Sequence, residues 1–327
     1  MTFEFTVEPG FNFIKSFGEK FDIPIAGDTL TIPPSMGEGF IRFKEIEPGV
    51  KLALHHYTLK KDFHLKRNAP KENHDIVSIV FNSNEIPTDV TPDRQTAIQF
   101  LKNNGSSIQI ASSALSTETH FPAHIEVYFG VIGIHRKLLI AALGLDKVSG
   151  PLHMILHGEG LFFYHEKMHP EALRILQQLS VFNDQDALSR LYHKTKIHEL
   201  IYLLAHKLLD RGEDKQHPVN KADIDKLALI RTAVLADLSQ PPELKALSTM
   251  SGMSETKMKQ LFKQTFGDTI YNYYQNERMQ EAGFLLKHAG YSVSEAGYQL
   301  GFSNLSHFSR LFEKHFGVTP KKYTATG

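Results

Sequence analysis

Apolar and polar side chains alternate from Phe40 to Lys60 on either side of Pro48-Gly49, and this period of two predicts a β-hairpin. Shorter runs of the same kind at residues 75–81, 107–111 and 124–134 predict further strands. Several short strands separated by turn signals suggest a sandwich or a small barrel. The period then changes. Residues 136–143 read as a short helix with a break after it at Gly150-Pro151, and residues 171–179 and 187–209 read as longer helices. In the last of these Leu188, Leu191, Tyr192, Ile197, Ile201, Leu204 and Leu208 keep mostly to one face, so the helix pair is a candidate dimer seam; packing on its own strands is the alternative. Residues 210–223 are polar and include Pro218 and Asn220, which marks a linker, and everything after it is helical with short turns. The chain thus divides into residues 1–150, a helical segment at 151–215, and a C-terminal domain at 220–327.

The C-terminal part repeats itself. Leu261 to Thr269 reads LFKQTFGDT, and Leu311 to Thr319 reads LFEKHFGVT. Each copy follows the same order of features: a short amphipathic helix, a turn glycine, a serine able to cap, and a helix with an aromatic inner face. In the first copy these are residues 243–250, Gly252, Ser254, then Met258, Leu261, Phe262 and Phe266; in the second, residues 293–300, Gly301, Ser303, then Phe308, Leu311, Phe312 and Phe316. A small residue four positions before each turn glycine, Ser248 or Gly297, lets the two helices cross closely. Glycine tolerates positive φ, and the serine can accept the unpaired amide hydrogens of the next helix. These are helix-turn-helix features, which present a second helix to the DNA major groove. Residues 269–288 between the copies predict one long connecting helix with Tyr273, Met279, Ala282 and Leu286 among its packed positions.

The stretch GFSNLSHFSRLFEKHFGVTPKKY, residues 301–323, resembles the signature of AraC/XylS-type transcriptional regulators, and residues 252–286 match its first half. The resemblance covers residues 224–323. It implies a multidomain α+β protein: an N-terminal β-rich, cupin-like barrel that binds an effector and dimerises through a helical segment, and an all-α tandem helix-turn-helix domain that reads promoter DNA. The arrangement is most similar to the branch that includes siderophore-responsive regulators. Ser248 stands where the family usually has alanine, and Ala296-Gly297 replaces a common Ile-Ala pair.

Pattern and position in the motif together nominate DNA contacts. In the first reading helix Thr256, Lys259 and Gln260 are the candidates for base edges, since Lys suits guanine and Gln suits adenine; Lys263, a turn later, suits phosphate. In the second, the outward set is Asn304, Ser306 and Arg310, with Leu305 placed to meet a thymine methyl.

Charge adds little to this. Residues from Ile224 onward carry 12 Lys and Arg against 9 Asp and Glu, a net of +3, while the preceding part carries −3, which permits DNA binding at the C-terminal end without requiring it. Absence of cysteine removes disulfides and thiolate chemistry. No secretory signal or membrane-length apolar run is present, so a cytoplasmic protein is expected. Histidines are abundant, and His153, His157, His165 and His169 form two pairs at helical spacing that could ligate zinc if each pair lay on a helix; Gly158 and Gly160 break that continuity. His55 and His56 are neighbours in a strand, so at most one faces an interior. No phosphate loop or nucleophile elbow occurs. The expectation is an effector-responsive activator that acts as a homodimer, contacts RNA polymerase, and needs neither metal nor cofactor. Two rivals remain: a regulator whose N-terminal domain only dimerises or meets a protein, and a cupin enzyme fused to a DNA-binding tail. Ligand-dependent thermal stabilisation separates the first from the effector reading, and metal content separates the second.

Overall fold

The computed structural model describes residues 1–8, 10–72, 75–83, 106–145, 147–158, 160–181, 187–212, 216–217 and 219–325. They form two compact units that part between Lys221 and Ala222.

The first unit is built on eleven strands among the described residues: β1 (Thr2–Thr6), β2 (Ile25–Ala26), β3 (Thr29–Thr31), β4 (Gly37–Glu47), β5 (Val50–Leu59), β6 (Phe63–Asn68), β7 (Ile76–Asn82), β8 (Ser107–Ser112), β9 (Thr117–Phe121), β10 (Glu126–His135) and β11 (Phe163–Lys167). The hairpin expected around Pro48-Gly49 is β4 and β5, with Gly49 at φ +89° in the turn. Eight strands make one antiparallel sheet in the order β11-β8-β7-β10-β5-β4-β3-β2, and β1-β6-β9 make a second. The closed cupin-like barrel implied by the resemblance is not formed: no ladder joins β11 to β2 among the described residues. The edge strand β2 is two residues long and its neighbour β3 three.

Both faces of the large sheet are covered, and buried positions on β5 and β10 include consecutive residues such as Leu52 to His55 and Phe129-Gly130. One face carries Leu52, Leu54, Ile79, Phe81, Ile110 and Ile132 against the helices α2 (Arg136–Leu143), α3 (Gly150–His157), α4 (Pro170–Val181) and α5 (Ser189–Leu209). The other packs through Ile41, Tyr57, Val127 and Phe129 on helix α1 (Phe13–Phe21) and on the small sheet, which contributes Phe3 and Phe63.

The face expected on α5 splits in two. His193, Ile197, Leu200, Ile201, Leu204 and Leu208 are buried against their own sheet, whereas Leu188 and Leu191 are 65% and 60% exposed. A period of 3.6 starting from His193 leaves Leu191, Tyr202 and Leu209 on the opposite side, and all three are exposed. Gly150-Pro151 opens α3 rather than simply breaking the chain, with the proline in the first helical turn where its missing N–H costs nothing. His153 and His157 are therefore on one helix, their rings 5.7 Å apart, while His165 is buried in β11 and His169 precedes α4. Among the described residues no three His, Asp or Glu side chains are placed to hold a metal, and no helix is long and apolar enough to cross a membrane.

Of the neighbouring histidines on β5, His55 is the buried one, stacked on Phe129 at 4.1 Å, and burial lowers its pKa to about 3. Its unfolded pKa is near 6.5, so between these values the unfolded chain binds the extra proton and stability falls as pH falls. Replacing His55 by leucine is expected to flatten the acid limb of a stability-versus-pH curve below pH 6.5 by up to ~1.4 kcal/mol per pH unit. Chemical denaturation at pH 7, 6 and 5 measures it, and identical slopes for the two proteins would refute it.

The second unit is helical: α6 (Lys221–Ala236), α7 (Leu244–Ser251), α8 (Glu255–Phe266), α9 (Ile270–Lys287), α10 (Val293–Gln299), α11 (Leu305–Phe316) and α12 (Pro320–Ala325). The connecting helix expected over residues 269–288 is α9, and Tyr273, Met279, Ala282 and Leu286 are all buried on it.

Candidate nucleic-acid interface

The repeated phrase is a set of packing and capping instructions. Phe262 and Phe266 lie 4.5 Å apart, as do Phe312 and Phe316. Gly267 and Gly317 end their helices in the left-handed region at φ +80° and +73°, each N–H donating at 2.8 Å to the carbonyl four residues back. Thr269 then accepts from the Asn272 amide to open α9, and Thr319 accepts from the Lys322 amide to open α12. Tyr273 and Tyr323 follow at the same spacing and close edge-on against the Phe262 and Phe312 rings. Each motif is therefore a helix, a stop, a start, and an aromatic clasp.

The two turns differ in how they use this plan. Between α7 and α8, Gly252 adopts φ +59° and Ser254 accepts the Lys257 amide. Ser248, the departure from alanine, donates its hydroxyl to the Met253 carbonyl at 2.6 Å and braces the turn. Between α10 and α11 the cap is Asn304 and not Ser303: its Oδ1 accepts from the amides of Ser306 at 2.9 Å and His307 at 3.1 Å. The second turn is longer than the first, and the extra length moves the cap one residue on. Gly297 lies where an added Cβ would come within 2.6 Å of Leu305 Cδ2 and 3.3 Å of Phe308 Cδ1, so the close crossing of α10 and α11 rests on this glycine. Ser292 and Glu295 form a reciprocal cap at the start of α10, and the hydrogen bonds from Ser292 hold the Glu295 carboxyl below its ordinary pKa.

On α8, Met258, Leu261, Phe262, Thr265 and Phe266 are buried, and Thr256, Lys259, Gln260 and Lys263 lie together on the exposed side. Lys259 is paired with Glu255 at 3.1 Å. Such an exposed i, i+4 pair is worth only ~0.3–0.5 kcal/mol, so Lys259 can exchange this partner for another at little cost. On α11, Ser306 and Arg310 are exposed on the outer face. Two of the expected DNA contacts on this helix do other work: Asn304 commits its carbonyl oxygen to capping, and Leu305 is half-buried against Gly297. His307, absent from the expected set, is exposed beside Ser306 and three residues before Arg310; the helical period of the outer face carries that signal.

Helix α6 packs on the α7–α8 pair. Lys226 donates to the Gly252 carbonyl, buried Asp223 pairs with Lys257 at 2.6 Å, and Arg231 donates to the Tyr273 hydroxyl at 2.7 Å. The α10–α11 pair is held from α9 by Arg278. It is buried, donates to the Leu300 carbonyl at the end of α10, and lies 3.6 Å from the Phe302 ring centroid. Desolvation lowers its pKa. An arginine inside the packed face of a helix is a sequence signal, but its purpose depends on what the fold brings beside it.

These features agree with the comparisons. A helix-turn-helix domain family matches residues 247–326. The probable transcription factor PqrA of Proteus vulgaris is 31% identical over 85 residues, 26% of this chain and 70% of that protein. The chain belongs to the AraC/XylS family of transcriptional regulators. Its AraC/XylS relatives include the transcriptional activator RhaR of Mannheimia succiniciproducens, 29% identical over 153 residues, 46% of this chain and 54% of that one. The chain thus spans about half the length of this relative. A transcriptional regulator from Chromobacterium violaceum with an AraC-type DNA-binding domain is a similar solved structure, 29% identical with a TM-score of 0.31, covering 33% of this chain and 96% of that one.

Proposed function

We propose that this AraC/XylS-family chain is a sequence-specific DNA-binding transcriptional regulator, an effector-responsive activator. The observation that carries the reading is the duplicated recognition helix: α8 and α11 are set by the same stop, start and aromatic clasp, and each turns a polar face outward. Activation rather than repression is supported by the relatives named as activators, RhaR among them. In this reading Thr256, Lys259 and Gln260 read bases, Lys263 neutralises phosphate, and Ser306 and Arg310 with the Asn304 amide serve the second box. Residues 1–150, whose large sheet is completed by β11 from beyond that boundary, are the sensor, a counterpart of the cupin-like domains of the family. Residues 151–215 supply the dimer seam, for which the exposed Leu191, Tyr202 and Leu209 on α5 are the support. Promoter DNA, RNA polymerase, a small effector and a second copy of the chain are the partners, in the cytoplasm, and no enzymatic step is required. The effector acts only so far as it binds the two arrangements of the protein with different affinity.

Selection of genomic fragments by the full-length protein tests this. Recovery of an asymmetric motif with two boxes about one helical turn apart is the expected result, and uniform recovery that merely weakens with salt would refute it. Within that motif, Lys259→Ala is expected to weaken specific DNA by ~1–3 kcal/mol more than random DNA. Lys263→Ala is expected to weaken both alike and lower the salt slope by about one. Titrations at three salt concentrations distinguish the two roles, and equal behaviour of the variants on both DNA classes would refute the assignment.

A further inference from the structure

Helix α8 carries one acidic side chain among its lysines. Glu255 is the first residue of the helix, directly after the Ser254 cap, and it is exposed. The first turn of α11 has no acidic residue. Side chains lean toward the N-terminus of their helix, so Glu255 reaches past the end of α8, and Lys259, one turn on, leans back to pair with it at 3.1 Å. The neighbouring cation Lys257 is instead paired with Asp223 at 2.6 Å. The carboxylate thus shares a pair with a proposed base-reading lysine, and an exposed pair of this kind is weak enough to be exchanged.

A carboxylate in this place works against affinity for DNA as such. The first residues of a reading helix enter the major groove, where the phosphates on either side repel a negative charge. The base edges differ in what they offer it. Guanine and thymine present acceptors there, and adenine sets its N7 acceptor beside its N6 donor, so each repels a carboxylate in whole or in part. Cytosine presents its N4 amino group with no acceptor beside it. We propose that Glu255 selects cytosine at a base pair adjoining the one read by Lys259, a role that rests on the reading of α8 as a base-reading helix. On binding, Lys259 leaves the carboxylate for a guanine, and Glu255 accepts a hydrogen bond from the cytosine N4 amino group. In the free protein the two charges neutralise each other, and in the groove they separate onto two bases of opposite hydrogen-bonding character.

The test takes the motif selected by the full-length protein and places each of the four base pairs at every position of it, with a random duplex as control. Affinities are measured for the wild type, Lys259→Ala, Glu255→Ala and Glu255→Gln. Lys259→Ala locates the guanine. At an adjoining pair the wild type is expected to favour cytosine by ~5-fold or more, the cost of one mismatched pair. Glu255→Ala is expected to lose that preference and to bind the random duplex more tightly than the wild type does, while the guanine preference persists. Glu255→Gln is expected to move the preference to adenine, whose N6 and N7 suit an amide. If Glu255 serves only the start of the helix, as a negative charge near its first amides, Glu255→Ala weakens all operators alike, and the proposal is overturned. It is overturned as well if both variants keep the wild-type preference at every position. Those two results leave the regulator reading standing, whereas failure of the wild type to select any motif would remove that reading and the role of Glu255 with it.

Discussion

Gly301→Ala is expected to destabilise the second helix-turn-helix unit by about 3 kcal/mol or more, whereas Gly252→Ala, the equivalent change in the first, is expected to cost only about 1–2 kcal/mol. Both glycines have positive φ, +74° and +59°, so each substitution carries the penalty of a left-handed L-residue. The difference lies in what stands against them. A Cβ on Gly301 would overlap the backbone carbonyl of Ser239, which cannot swing aside as a side chain can. A Cβ on Gly252 would meet nothing nearer than the Lys226 ammonium at 3.8 Å, the flexible end of a long side chain. Urea denaturation of the two full-length variants compares them. Equal losses would mean that backbone conformation alone sets the cost and that the Ser239 contact is relaxed away.

Arg278→Met is expected to cost about 3 kcal/mol, and Arg278→Lys a large part of that. The methionine leaves the Leu300 carbonyl without its charged donor, a loss of ~1.5–3 kcal/mol, and removes a cation from the Phe302 ring, a contact worth up to ~2 kcal/mol when desolvated. Lysine restores the charge without the planar fork that donates to Leu300 and stacks on Phe302. Because Arg278 ties α9 to the turn ahead of α11, the proposed reading expects DNA affinity to fall at the box assigned to α11 and the box assigned to α8 to keep its contacts. Footprinting of a two-box operator with each variant shows whether protection is lost at one box. Uniform loss at both would mean that α9 does not transmit the position of the second unit independently of the first.

The residues that these two experiments address were only partly legible beforehand. The turn glycines stand out in the sequence because a glycine between two amphipathic patterns marks a positive φ, but nothing in the pattern distinguishes Gly252 from Gly301. Likewise Ser303 and Asn304 are both good caps, and the helix takes the second because its first free amides, Ser306 and His307, lie within reach of Asn304. The exposed faces of α8 and α11 follow directly from the buried aromatics, since a period of 3.6 that fixes the inner face also fixes the outer one. The same logic misplaced Leu188 and Leu191 because α5 carries apolar side chains on two faces, and only one face can be turned to the sheet.

What the sequence determined by itself is whatever acts over a few residues: the strand alternation of β4 and β5, the glycine stops at Gly267 and Gly317, the threonine starts at Thr269 and Thr319, and hence the duplicated reading unit. Backbone conformation and capping are satisfied by near neighbours, so their signals are written locally. Tertiary structure decided the rest. The carbonyl to which Arg278 donates is 22 residues away, and the one that leaves no room for a methyl at Gly301 belongs to Ser239. Burying a polar group, or leaving no room for a methyl, depends on which distant segments meet, and that is set by the packing of whole elements rather than by any stretch of chain.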